Sequence, residues 1–67
     1  MDPMEALDRL KDKIETAIRE MEEALGQGVC LTNPNPAQAY ANCVGRIEAW
    51  NYTLSDIDEI RQQYIDE

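Results

Sequence analysis

The strongest constraint on the fold is a run of apolar residues at helical spacing within residues 40–57. They recur at intervals of 3, 4, 3, 4 and 3, as Tyr40, Cys43, Ile47, Trp50, Leu54 and Ile57. Side chains three and four positions apart lie on one face of an α-helix, so this pattern predicts one long helix with a continuous apolar seam. Such a seam needs a partner, because most of the stability of a helix in a protein comes from packing its apolar face.

The partner is predicted in the first 25 residues, where the same alternation recurs. Its members are Leu7, Leu10, Ile14, Ala17, Met21 and Ala24, and Met4, Ile18 and Leu25 widen the seam on one side. Asp2 is a suitable N-cap and Pro3 suits the first helical position, while Gly26 and Gly28 favour a stop. On the outer face, Glu5–Arg9, Lys11–Glu15 and Glu15–Arg19 have the spacing of i,i+4 ion pairs.

The second helix is predicted to begin with the same chemistry, since Asn35, Pro36 and Gln38 make a capping box. Its middle, residues 51–55, is weak helix sequence, and either Thr53 or Ser55 is able to cap a third helix there. The apolar spacing runs through this junction without a slip, so a continuous helix is favoured over a break.

Two seams joined by a short loop, residues 27–35, predict an all-α fold, an antiparallel two-helix hairpin that forms a single domain over residues 1–67. The helices are expected at about residues 3–25 and 36–65 with coiled-coil-like packing. The second helix is the longer one, and we expect Ile60, Tyr64 and Ile65 to overhang the first.

The loop contains Val29, Cys30 and Leu31, which are expected to fold back over the end of the hairpin. A bridge between Cys30 and Cys43 is geometrically conceivable across this loop. The opening residues have neither a basic nor a long apolar stretch, so we expect no signal peptide and a cytoplasmic location. That location favours two reduced thiols over a disulfide.

The first half of the second helix is apolar or small nearly all round, which is typical of a helix buried on every side. A single partner helix is not able to cover it. On the face turned away from the seam, Ala41, Gly45, Ala49 and Tyr52 form a stripe. An interior helical glycine costs ~1 kcal/mol relative to alanine, and close approach of another backbone is one reason to keep it. The stripe is therefore a candidate second interface; the alternative is that Ala41, Gly45 and Ala49 are merely small exposed residues.

The composition argues against most chemistry. Fourteen acids against six bases give a net charge of −8, which disfavours direct binding to nucleic acid or to an anionic membrane. The chain has no histidine, the commonest general base and metal ligand. The sequence contains no phosphate-binding loop, calcium loop or apolar run of membrane-spanning length. We expect no enzymatic activity, no catalytic or metal-binding residues and no cofactor.

The segment from Tyr40 to Ala49 contains Val-Gly-Arg-Ile-Glu followed by a small residue. It resembles a pattern in small acidic helical proteins of tailed bacteriophages, where a tyrosine and this motif open the second helix. The resemblance implies a phage origin and a helical accessory protein, present in the host cytoplasm or incorporated into a virion. It implies no catalytic residues.

Two functional hypotheses follow. In the first, the chain is a protein–protein interaction module, and its hairpin completes its core against a second copy or a larger phage assembly. In the second, it is an acidic inhibitor that mimics phosphate or nucleic acid towards a host nucleic-acid enzyme or defence system. The acids that would act in the second are crowded near one end: Asp56, Asp58, Glu59, Asp66 and Glu67.

Overall fold

Two long α-helices make up most of the molecule. The computed structural model describes residues 2–66, and the side chains of residues 2–65. Helix α1 spans Pro3–Gly26, a short 3-10 helix spans Val29–Thr32, and helix α2 spans Pro36–Asp66. The helices pack antiparallel into a rod of 51 × 17 × 15 Å. The predicted all-α hairpin is confirmed, and α2 is one continuous helix, so the alternative with a third helix is wrong.

Local capping chemistry fixes where each helix begins. The Asp2 carboxylate accepts a hydrogen bond from the Met4 amide at 2.7 Å. At the start of α2, Asn35 accepts from the Gln38 amide at 3.4 Å and donates to the Gln38 side chain at 3.3 Å. These bonds satisfy amide groups that have no partner within the helix. Both predicted helix starts are confirmed.

The connection between the helices turns at Gly28, whose φ of 80° is in the left-handed region that favours glycine. The 3-10 helix follows at once, with the Leu31 amide bonded to the Gly28 carbonyl at 2.9 Å. Because a 3-10 helix has about three residues per turn, only one of three consecutive side chains faces the hairpin. Cys30 is buried, whereas Val29 and Leu31 are 51% and 79% exposed. The expectation that all three cover the hairpin end is right for Cys30 alone.

Two ion pairs between the helices show their register. Asp8 pairs with Arg61 at 3.1 Å and Lys11 pairs with Asp58 at 3.5 Å. Carried along both helices, this register brings Pro3 level with the end of α2 and Gly26 level with Cys43. The surplus length of α2 therefore lies at its N-terminal end, beside the 3-10 helix. The predicted overhang at Ile60, Tyr64 and Ile65 is wrong, because α1 reaches that level.

The core is small. Three side chains are buried among residues 2–65, and they are Ile14, Cys30 and Ile57. The other predicted seam residues divide into a half-buried group (Leu7, Met21, Cys43, Ile47, Trp50 and Leu54) and an exposed pair (Leu10 and Tyr40). Tyr40 is 57% exposed because it lies beyond the end of α1, and Leu10 is 45% exposed at the edge of the seam.

Candidate interaction surface

The two helices distribute their apolar residues differently. The apolar residues of α1 are concentrated on one side, whereas those of α2 are spread around the helix. In α2 the spread has a direct consequence, because packing against α1 covers only one side. Ala41, Gly45, Ala49 and Tyr52 are all exposed. We call these four residues the outer stripe.

No contact or backbone conformation within the hairpin requires a glycine at position 45. Gly45 lies inside α2 with an ordinary helical backbone, and a Cβ atom built on it would meet nothing within 4 Å. Alanine at this position would favour the helix by about 1 kcal/mol. The absence of a side chain leaves the backbone of α2 accessible at the centre of the stripe, with Ala41 and Ala49 one turn to either side.

Tyr52 extends the stripe towards the C-terminus and is 73% exposed. It borders a shallow open groove on α2 that is also lined by Glu48, Asn51 and Ser55. An exposed tyrosine offers a large apolar ring with a polar tip, a combination enriched at protein interfaces.

Charge is nearly absent from the part of the chain that carries the stripe. Between residues 24 and 55 the sequence has two charged residues, Arg46 and Glu48, which cancel. The whole net charge of −8 is therefore carried by the remaining residues. Interface cores are depleted of charged residues, so the charge pattern makes the loop-proximal part of α2 a candidate docking surface.

Sequence reasoning missed the ion pairs between the helices. It assigned Lys11 to Glu15 and Arg19 to Glu15, but Lys11 reaches across to Asp58 and Arg19 donates to the Thr16 hydroxyl at 3.5 Å. The predicted pair Glu5–Arg9 is present at 3.4 Å. The position of Lys11 in the sequence could have indicated this pair, since it directly follows the seam residue Leu10. In the structure Lys11 is half-buried, and its long side chain reaches the facing helix.

The acidic residues on which the inhibitor hypothesis depends are not all available to a partner. Asp56, Asp58 and Glu59 are exposed, and Asp58 is engaged by Lys11. Glu67 and the side chain of Asp66 lie outside the described residues. A second open groove, on the outer face of α1, is lined by Asp12, Lys13, Thr16, Ala17 and Glu20. Its two acids are solvated on one helix face.

The remaining chemistry is a pair of thiols. Cys30 and Cys43 are free, and their sulfur atoms are 4.0 Å apart. Burial, followed by the neighbouring Cys43 side chain, raises the pKa of the Cys30 thiol above its ordinary value. Within residues 2–66 no cluster of three or more acidic, cysteine or histidine residues is placed to hold a metal ion. Neither helix, over the described part of the chain, has the apolar length to cross a bilayer.

No protein family, no curated protein and no solved structure matches this chain. The outer stripe, the neutral half of α2 and the small core are therefore the observations from which a function has to be argued.

Proposed function

We propose that this chain is a non-enzymatic interaction module whose hairpin docks through the outer stripe onto a second copy of itself. Joined in this way, the two hairpins form a four-helix assembly in which the α2 helices pack against each other and each α1 lies on the far side of its own α2. The observation that carries the proposal is Gly45, a glycine inside an exposed helical face with nothing within 4 Å of its missing side chain. The α2 helix of a second copy would be able to approach the backbone at Gly45 closely, whereas nothing in the hairpin itself does so.

The proposed contact is isologous, the commonest form of a homodimer. With the two α2 helices antiparallel and Gly45 near the two-fold axis, Ala41 of one copy faces Ala49 of the other. The spacing is symmetrical, since Ala41 and Ala49 are each four residues from Gly45. Tyr52 then lies outside this small-residue contact, where its ring covers the flank of the second helix.

Surface area supports a partner. A folded monomer of 7.7 kDa is expected to expose about 4,300 Å², and this chain exposes 5112 Å². The excess of roughly 800 Å² is about what each partner contributes to a standard interface. It reflects a thin rod with three buried side chains among residues 2–65, and association is one of the usual ways in which a small protein with so small a core is stabilised.

The resemblance of residues 40–49 to small phage proteins supports a setting for this module. Three of the four residues of the outer stripe, Ala41, Gly45 and Ala49, lie within this segment. We propose that the dimer is a structural or assembly component of a phage. It is made in the host cytoplasm and either remains there or is incorporated into the virion. A larger phage protein that presents a similar small-residue helix face would use the same contact.

Sedimentation equilibrium of the natural chain at two ionic strengths tests the proposal. At micromolar concentration and about 0.1 M salt, where the Debye length is near 10 Å, we expect the mass of two chains. Higher salt is expected to tighten the dimer, because it screens the repulsion between two copies that each carry −8.

The acidic-inhibitor hypothesis predicts different behaviour, because a complex held by the carboxylates of this chain weakens as salt screens them. A single-chain mass at every concentration and ionic strength would overturn the dimer. Association that weakens as salt is added would indicate that the acidic residues, and not the outer stripe, form the contact.

A further inference from the structure

The cysteine pair lies where the 3-10 helix meets α2. Cys30 is buried and belongs to the 3-10 helix, and Cys43 is half-buried on the seam of α2. Two hydrogen bonds hold the backbone around Cys30: the Thr32 hydroxyl donates to the Val29 carbonyl at 3.0 Å, and the Asn33 amide donates to the Cys30 carbonyl at 3.2 Å. The pair therefore joins the segment that connects the helices to α2 itself.

We propose that Cys30 and Cys43 form a reversible intramolecular disulfide that fastens the 3-10 helix to α2. Their sulfur atoms, 4.0 Å apart, have to approach to the ~2.05 Å of a disulfide. Rotation of the two side chains moves the sulfurs towards each other, and the short loop between Gly28 and α2 takes up the remaining shift. The two sulfur atoms already contact each other at the junction of the 3-10 helix and α2.

The chemistry is thiol–disulfide exchange with a small disulfide such as oxidised glutathione. The Cys43 thiolate, the more exposed of the two, attacks one glutathione sulfur, which forms a mixed disulfide and releases one glutathione thiolate. Cys30 then loses its proton to solvent and attacks the Cys43 sulfur, which releases the second glutathione. Two protein thiols are oxidised and one glutathione disulfide is reduced to two thiols.

Ring closure is expected to depend on pH. Burial raises the pKa of the Cys30 thiol, and the thiolate is the attacking species, so the rate of this step is expected to increase as the pH is raised.

The disulfide would close a loop between two residues separated by 13 positions. Such a link restricts the unfolded chain more than the folded one, and for a loop of this length it is expected to raise the melting temperature by roughly 10 °C or more. The loop end would then be covalently fixed, while the outer stripe, on the other side of α2, would stay available.

The test is to incubate the natural chain with oxidised glutathione and to follow its mass and its thermal unfolding. We expect a product lighter by two hydrogen atoms, still a single covalent chain, with the raised melting temperature, and full reversal by a phosphine reductant. The variants Cys30→Ser and Cys43→Ser are the matched controls. Cys30→Ser is expected to retain one glutathione on Cys43, Cys43→Ser is expected to leave the buried Cys30 largely unmodified, and neither is expected to show the rise.

Stable addition of glutathione to both cysteines of the natural chain would overturn the proposal, and so would a disulfide between two chains. Neither result bears on the proposed dimer, which is measured with the thiols reduced. Failure of the dimer likewise leaves the disulfide proposal unaffected, because Cys30 and Cys43 contact each other within one chain.

Discussion

Gly45→Leu is expected to give a folded hairpin that no longer associates. Gly45 is exposed and a side chain there meets nothing within the hairpin, so leucine fits the monomer and favours the helix by close to 1 kcal/mol. In the dimer the same side chain would fall near the two-fold axis, where the backbones approach. Circular dichroism is expected to show equal or higher helicity, and sedimentation equilibrium the mass of one chain.

Thr16→Leu is the matched control for this variant. Thr16 is exposed on α1, away from the outer stripe, and leucine there also adds an exposed apolar side chain and raises helix propensity. This control is expected to retain the dimer mass. If the Gly45 variant associated as tightly as the natural chain, Gly45 would not lie in an interface.

Ile57→Ala is expected to have the largest effect on stability. Ile57 is the most buried of the core side chains, at 3% exposure, and removing a buried isoleucine in this way typically costs about 2–5 kcal/mol. A core of this size supplies roughly 3–5 kcal/mol in all. Urea unfolding, followed by circular dichroism at one fixed protein concentration, is expected to show a largely unfolded variant.

Ile60→Ala is the control on the same helix. Ile60 is 41% exposed, and the same truncation there is expected to cost about 1 kcal/mol or less, since substitutions at partly exposed positions are mild. Equal losses of stability for the two variants would mean that Ile57 is not the centre of the core.

The elements of the fold were predictable because each is specified locally. Asp2 and Asn35 cap the two helices through side chains within three residues of their partners. The seam is a matter of spacing, and the spacing is continuous through residues 51–55, so the weak helix formers there do not break α2. Packing against α1 outweighs low intrinsic propensity at these positions.

The features that the sequence did not predict depend on register, that is, on how far one helix is shifted along the other. The spacing of the apolar residues does not determine this shift. A seam is able to shift along its partner by a turn without losing its pattern. In the alignment that the structure adopts, Asp8 pairs with Arg61 and Lys11 pairs with Asp58. From that alignment follow the exposure of Tyr40 beyond the end of α1 and the lack of an overhang at Ile60. The orientation of the 3-10 helix, which buries Cys30 and exposes Leu31, is likewise set by the turn at Gly28.

The sequence predicts that the residues of the outer stripe share one face of α2. It does not determine whether that face forms an interface. The four-residue spacing of Ala41, Gly45 and Ala49 places them on one side of α2 whatever lies opposite, and the hairpin leaves that side exposed. Whether a second copy covers it depends on a balance between apolar burial and repulsion of two chains that each carry −8. In the dimer that we propose, the neutral stretch of residues 24–55 lowers this repulsion at the contact.

The most direct test of the proposed interface is nuclear magnetic resonance on a sample that mixes isotopically labelled and unlabelled chains. Filtering for contacts between a labelled and an unlabelled copy is expected to give cross-peaks from the Ala41 methyl to the Ala49 methyl and between the two Gly45 residues. If no such cross-peaks appear, and if the chemical shifts of Ala41, Gly45 and Ala49 do not change with concentration, the outer stripe faces solvent and the interaction module proposed for this chain is contradicted.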